Sequence, residues 1–219
     1  MRHRLLPRAA LLLPLLATAP HAATAAQAGG TVEGLVELSP RAARRVAATY
    51  PGAGGGTHLV GAVPPVAFIA GSVGGAPAAS AQPRRLEQRD TSFRPALLVV
   101  PVGARVEFPN GDPFFHNVFS YSPAKRFDLG RYPRGESRAV TFDRPGVAKV
   151  YCEIHQWMRA AVVVVENPFH ATVGADGRFR IAGVPAGRRR LTVWDVDRGE
   201  RTVEVTVPAS GTVRVQVRL

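Results

Sequence analysis

The stretch Lys149-Val150-Tyr151-Cys152-Glu153-Ile154-His155-Gln156-Trp157-Met158 carries a thiol, an imidazole and a thioether. Soft sulfur together with imidazole suits copper cycling between Cu(I) and Cu(II). Two His, one Cys and a weakly held Met is the donor set of blue-copper electron-transfer sites. A second histidine must then come from elsewhere in the chain. Of the six, His3 and His21 lie in or beside the leader, His58 sits in a Gly-rich stretch, and His170 follows Pro168-Phe169 at a domain seam. His116 is better placed, at the start of a short apolar run after the turn-rich segment Phe108-Pro109-Asn110-Gly111-Asp112-Pro113-Phe114-Phe115. A structural zinc site is disfavoured, because such sites take several Cys or His ligands and no Met.

The chain begins like an exported one. Arg2, Arg4 and Arg8 precede the short apolar core Leu11 to Ala17, and small-residue steps at Ala23-Thr24-Ala25 follow. That is the pattern of a Sec-type signal peptide, residues 1–26. No later run approaches the ~20 apolar residues that span a bilayer. The expected location is therefore the periplasm or the extracellular space, with no integral membrane segment in the mature chain. There a single cysteine cannot form an internal disulfide, and a free thiol is a liability. Cys152 is then a metal ligand, a buried inert thiol or half of an intermolecular bridge. A thiol enzyme, with Cys152 as nucleophile and a histidine as base, is the other chemical option. It leaves Met158 without a role, so the expectation is that the protein is not an enzyme.

The formal charge of +12 is almost all arginine and is spread along the chain. Nucleic-acid binders concentrate such charge on one face, and this chain is not expected to bind nucleic acid. A broadly basic surface still favours docking to an acidic partner.

These residues need a β framework to position them. Short Val-, Phe-, Ile- and Thr-rich runs alternate with Gly, Pro, Asn and Asp turns, the signature of a sandwich or barrel. Strands are expected at 31–38, 66–70, 85–89, 96–100, 105–108, 117–120, 137–142, 147–152, 161–166, 179–181, 189–195, 200–207 and 212–218. The one helix expected lies over Arg41 to Ala48, capped by Ser39 with Pro40 in its first turn. Pro51 to Gly61 and Gly71 to Pro83 read as loop or linker.

From Arg84 to Glu166 the sequence resembles a cupredoxin of the plastocyanin–amicyanin type. The resemblance rests on the turn Val100 to Gly103, the approach to His116-Asn117 and the Cys-x2-His-x2-Met loop, whose short spacing is closest to amicyanin. It implies a Greek-key sandwich with one type 1 copper ion on His116, Cys152 and His155, and Met158 as weak axial ligand. It implies too that Asn117 ties the two ligand loops together, and that the His155 ring edge reaches the surface as the electron port. A redox protein of unknown identity would be the partner. Copper storage or delivery without such a partner is the alternative. Trp157, inside the ligand loop, is expected to touch the site, whereas Phe108, Phe114, Phe115 and Phe119, which could line the copper pocket or an electron path, read first as core packing.

The tail resembles a carboxypeptidase-regulatory (transthyretin-like) β-sandwich through Asp176-Gly177-Arg178-Phe179, Val184-Pro185-Ala186-Gly187 and Leu191-Thr192-Val193-Trp194. Its first strands are missing from the tail but appear upstream as Gly30 to Val36 and Val66 to Ile69. Fifty-odd tail residues alone bury too little surface for a stable core. The fold class expected is all-β: a Greek-key cupredoxin sandwich, 84–166, plus a second small β-sandwich. The second is made discontinuously from 30–70 with 167–219.

Overall fold

The computed structural model describes residues 29–38, 45–47, 57–74 and 84–219. The signal-peptide reading, most of the helix expectation and much of the linker lie outside the described residues. Where the helix expectation can be checked it fails: Arg45–Ala47 is a strand, paired antiparallel with Thr57–Leu59, the strand that holds His58.

Nineteen strands follow one another with no α-helix among the described residues. Ahead of residue 84 are β1 (Gly30–Glu37), β2 (Arg45–Ala47), β3 (Thr57–Leu59) and β4 (Val66–Ala70). Next come β5 (Arg84–Arg85), β6 (Glu87–Arg89), β7 (Ser92–Arg94), β8 (Leu97–Pro101), β9 (Ala104–Pro109) and β10 (His116–Ser122). They are followed by β11 (Lys125–Tyr132), β12 (Ser137–Phe142), β13 (Gly146–Tyr151) and β14 (Arg159–Val165). The tail supplies β15 (His170–Thr172), β16 (Arg178–Val184), β17 (Gly187–Asp195), β18 (Gly199–Val207) and β19 (Thr212–Arg218).

The first sandwich packs a sheet of order β11-β10-β13-β14-β8 against one of order β12-β9-β5. Its core is Val106, Phe108, Val118, Tyr132, Phe142, Ala148, Val150, Ala160 and Val162 with their neighbours, and it includes Cys152, Trp157 and Met158. The second sandwich packs β16-β1-β19 against β15-β4-β17-β18, around Val32, Ile69, Phe179, Leu191 and Val193. In it β1 lies between β16, antiparallel, and β19, parallel.

The two sandwiches meet through a third apolar layer. Val63, Val66, Trp194 and Val196 pack there against Ala161, Val163 and Val165. The strand β14 is therefore buried on both faces, its even-numbered residues in one core and its odd-numbered residues in the other. That explains an unbroken Val-rich run where a half-exposed strand would alternate with polar residues.

Candidate metal centre

Cys152 follows the last residue of β13, and His155 and Met158 sit in the loop to β14. His116 opens β10, the neighbour of β13 in the sheet. The Met158 N–H donates to the His155 carbonyl at 2.8 Å, which closes the loop into a tight turn.

Three donor atoms converge. The His116 and His155 Nδ1 atoms are 3.0 Å apart, and the Cys152 Sγ lies 3.7 Å from the first and 3.9 Å from the second. All three residues are buried, as is Met158 at 1 % exposure. His116 Nε2 faces the Asp112 carboxylate at 2.8 Å. A carboxylate accepts, so the ring proton belongs on Nε2 and the Nδ1 lone pair turns towards the cysteine and His155. Burial pushes the Cys152 thiol pKa up, against hydrogen bonds from the backbone of His155, Asn117 and Ile154 that pull it down. Burial likewise holds the His116 ring below the ordinary histidine value, with Asp112 opposing it.

Asp112 itself is fixed from outside. Its two carboxylate oxygens accept from the N–H groups of Asp90 (2.7 Å) and Thr91 (2.9 Å). Those residues form the β6–β7 turn with φ of 53° and 50°, the left-handed pair a tight hairpin turn requires. Asn110 holds the rest of the approach loop: its Oδ1 accepts from Asp112 N–H, and its Nδ2 donates to the carbonyls of Phe114 and Tyr132. Asn117 links the two ligand segments, its Oδ1 accepting from Glu153 N–H at 2.7 Å.

Two expectations need correction. His155 does not reach the surface: it is 1 % exposed, packed between the rings of Phe114 and Trp157, each with its centroid 5.2 Å away. Nor are all the nearby phenylalanines core. Phe108 is, but Phe114 is half-buried and touches both histidine rings. Phe115 is 54 % exposed, and Phe119 is half-buried, with tilted ring contacts to Tyr121 and Tyr151. His170 is exposed on β15, apart from the cluster. Sequence reasoning missed Asp112 as a neighbour of the site; the signal available was a carboxylate four residues before the histidine.

Residues 84–165 match the family of copper binding proteins that holds plastocyanin and azurin. The match covers the first sandwich and stops at the end of β14. No curated protein is significantly similar to the chain. Among solved structures, a Cu-containing nitrite reductase from Thermus scotoductus is 30 % identical over 42 % of this chain, with a TM-score of 0.38. This chain spans only 24 % of that reductase. A purple cupredoxin from Nitrosopumilus maritimus is 26 % identical over 37 % of this chain and 98 % of its own (TM-score 0.34). Amicyanin from Paracoccus versutus is 21 % identical over 40 % and 85 % (TM-score 0.36).

Proposed function

We propose that the protein is an exported type 1 copper protein that carries single electrons between redox partners. One copper ion would be held by His116, Cys152 and His155, with Met158 as weak axial ligand. The observation that carries this reading is the convergence of three buried donor atoms. Two imidazole nitrogens and a sulfur, mutually 3.0–3.9 Å apart, have the spacing of atoms each ~2.0–2.3 Å from a shared ion. Lone pairs brought this close and away from water repel one another without a cation or shared proton between them. One imidazole, one thiolate and a second imidazole, with a thioether in the same loop, are chemically suited to copper in both oxidation states.

Bound copper would supply a reversible one-electron couple. The protein's part is to hold the donors rigidly, keep water out and fix the His116 tautomer through Asp112. With His155 covered, Phe114 is the half-buried ring that touches both histidines, and beside it Phe115 is exposed. A partner would approach over these two rings. The signal-peptide reading of residues 1–26 supports a periplasmic or extracellular location for the mature chain. The pairing of β1 with β16 and β19 supports a domain built from 30–70 with 167–219, of carboxypeptidase-regulatory type, that carries 84–166 as an insert through surface connections.

The test is a spectrum. Adding Cu(II) to the purified protein should give an intense blue or purple thiolate-to-copper band that Cys152→Ser abolishes. Met158→Leu should retain much of the colour and raise the potential. A colourless complex, or one indifferent to Cys152→Ser, defeats the reading. Loss of copper on reduction would favour storage or delivery over electron transfer.

A further inference from the structure

The loop that carries Cys152, His155 and Met158 is gripped at its far end by residues outside its own sandwich. Gly61 N–H donates to the Trp157 carbonyl at 2.9 Å, and Arg159 Nε donates back to the Gly61 carbonyl. The same guanidinium reaches Asp197, Nη1 to Oδ1 at 2.6 Å. Arg159 is the residue immediately after Met158. Asp197 sits in the turn between β17 and β18 of the second sandwich.

Both partners of this ion pair are held in place. Asp195 Oδ1 accepts from the N–H groups of Asp197 (3.0 Å) and Arg198 (2.9 Å), shaping the turn. On either side of it, Trp194 and Val196 pack into the apolar layer with Val63, Ala161 and Val163. The Arg159 and Asp197 side chains are only 11 % and 16 % exposed. Water screens them far less than it screens Arg188–Glu204 on the same hairpin, at 81 % and 66 %. A solvated pair of that kind contributes little; one withdrawn from water costs more to break, because a charge is left uncompensated.

We propose that Arg159 is a positioning residue through which Asp197 and Gly61 hold the ligand loop closed. The second sandwich thereby sets how readily Cys152 is uncovered and how firmly His155 and Met158 are placed. Only the copper arm of the test below rests on the metal reading; the clamp itself concerns the loop.

The first arm uses the full-length, metal-free protein. Cys152 is 3 % exposed, so its alkylation by iodoacetamide reports local opening of the loop. Asp197→Asn should raise the labelling rate about tenfold, which converts to about 1.4 kcal/mol of opening free energy. Glu204→Gln, which cuts the exposed pair on the same hairpin, should leave the rate unchanged. Arg159→Lys keeps the charge but not the two-pronged reach to Gly61 and Asp197, and should also raise it. The second arm loads copper: Asp197→Asn should change the relative intensities of the thiolate-to-copper bands and shift the potential, and Glu204→Gln should do neither.

Labelling rates and band ratios in Asp197→Asn and Arg159→Lys equal to wild type overturn the clamp. So does a rise in labelling matched by an equal loss of amide-exchange protection throughout β13, since that is global unfolding. If wild type takes up no copper, the metal reading falls and the labelling arm still decides the clamp.

Discussion

At the scale of the residue, the neighbour that matters most to His116 is Asp112. A carboxylate on the far nitrogen of a metal-binding imidazole raises its basicity, and removing such partners typically costs about 10–100-fold in metal affinity. Asp112→Asn removes the charge and leaves one acceptor oxygen where the carboxylate offers two, one to Asp90 and the other to Thr91 and His116. We expect Cu(II) affinity to fall by roughly that factor and the reduction potential to rise, because the charge favours the more highly charged ion. Competition titration and voltammetry measure both. An unchanged potential would mean that Asp112 only shapes its loop. The closeness of Cys152 to His155 is legible in the sequence because only Glu153 and Ile154 lie between them, which leaves little freedom in a turn at a strand end. The role of Asp112 is not, since the amides that orient it lie 22 and 21 residues away in a hairpin whose turn gives no local sign of what it faces. The burial of His155 escapes the sequence for a related reason: Phe114, one of the two rings covering it, comes from the separate loop before β10.

At the scale of the element, β14 shows what a continuous apolar strand signifies. Val162 belongs to the first core and Val163 to the layer between sandwiches, and both are fully buried. Val163→Ala should cost about 2 kcal/mol by chemical denaturation while leaving the copper spectrum unaltered, because it opens space on the side away from the ligands. An altered spectrum would show that the layer between sandwiches is felt at the site. In the second sandwich Gly34 plays the complementary part. A Cβ there would lie 2.1 Å from the Phe179 ring, so the ring occupies the space of the missing side chain. Gly34→Val should destabilise the sandwich by about 1–3 kcal/mol, the usual range for overpacking, visible as a lower melting temperature. Most strands were legible from alternation and turn residues. β11 was not: Phe127 and Leu129 pack against the core, but Arg126, Asp128 and Gly130, which alternate with them, look like turn chemistry. The β2–β3 pair replaced a helix for the opposite reason, since good capping residues do not decide a segment too short to sustain a helix alone.

At the scale of the molecule, the copper-family segment is not a free-standing unit with an appendage. Its sheet presents Leu97, Val99, Val147, Ala161, Val163 and Val165 on one outer face, where Val66, Phe68, Trp194 and Val196 cover them. An isolated small electron carrier would place polar side chains there, because contiguous exposed apolar patches drive association. Residues 84–166 expressed alone should therefore run as oligomers in size-exclusion chromatography. Val99 and Val163 are directly paired across β8 and β14, so Val99→Lys with Val163→Glu places opposite charges side by side on the exposed face. The fragment carrying both changes should become monomeric. In the full-length chain the same two changes bury charge in the layer between the sandwiches and should destabilise it strongly. A wild-type fragment that is monomeric from the outset would show that this face tolerates water. The second sandwich would then be needed for its grip on the ligand loop through Arg159, and not for covering the sheet.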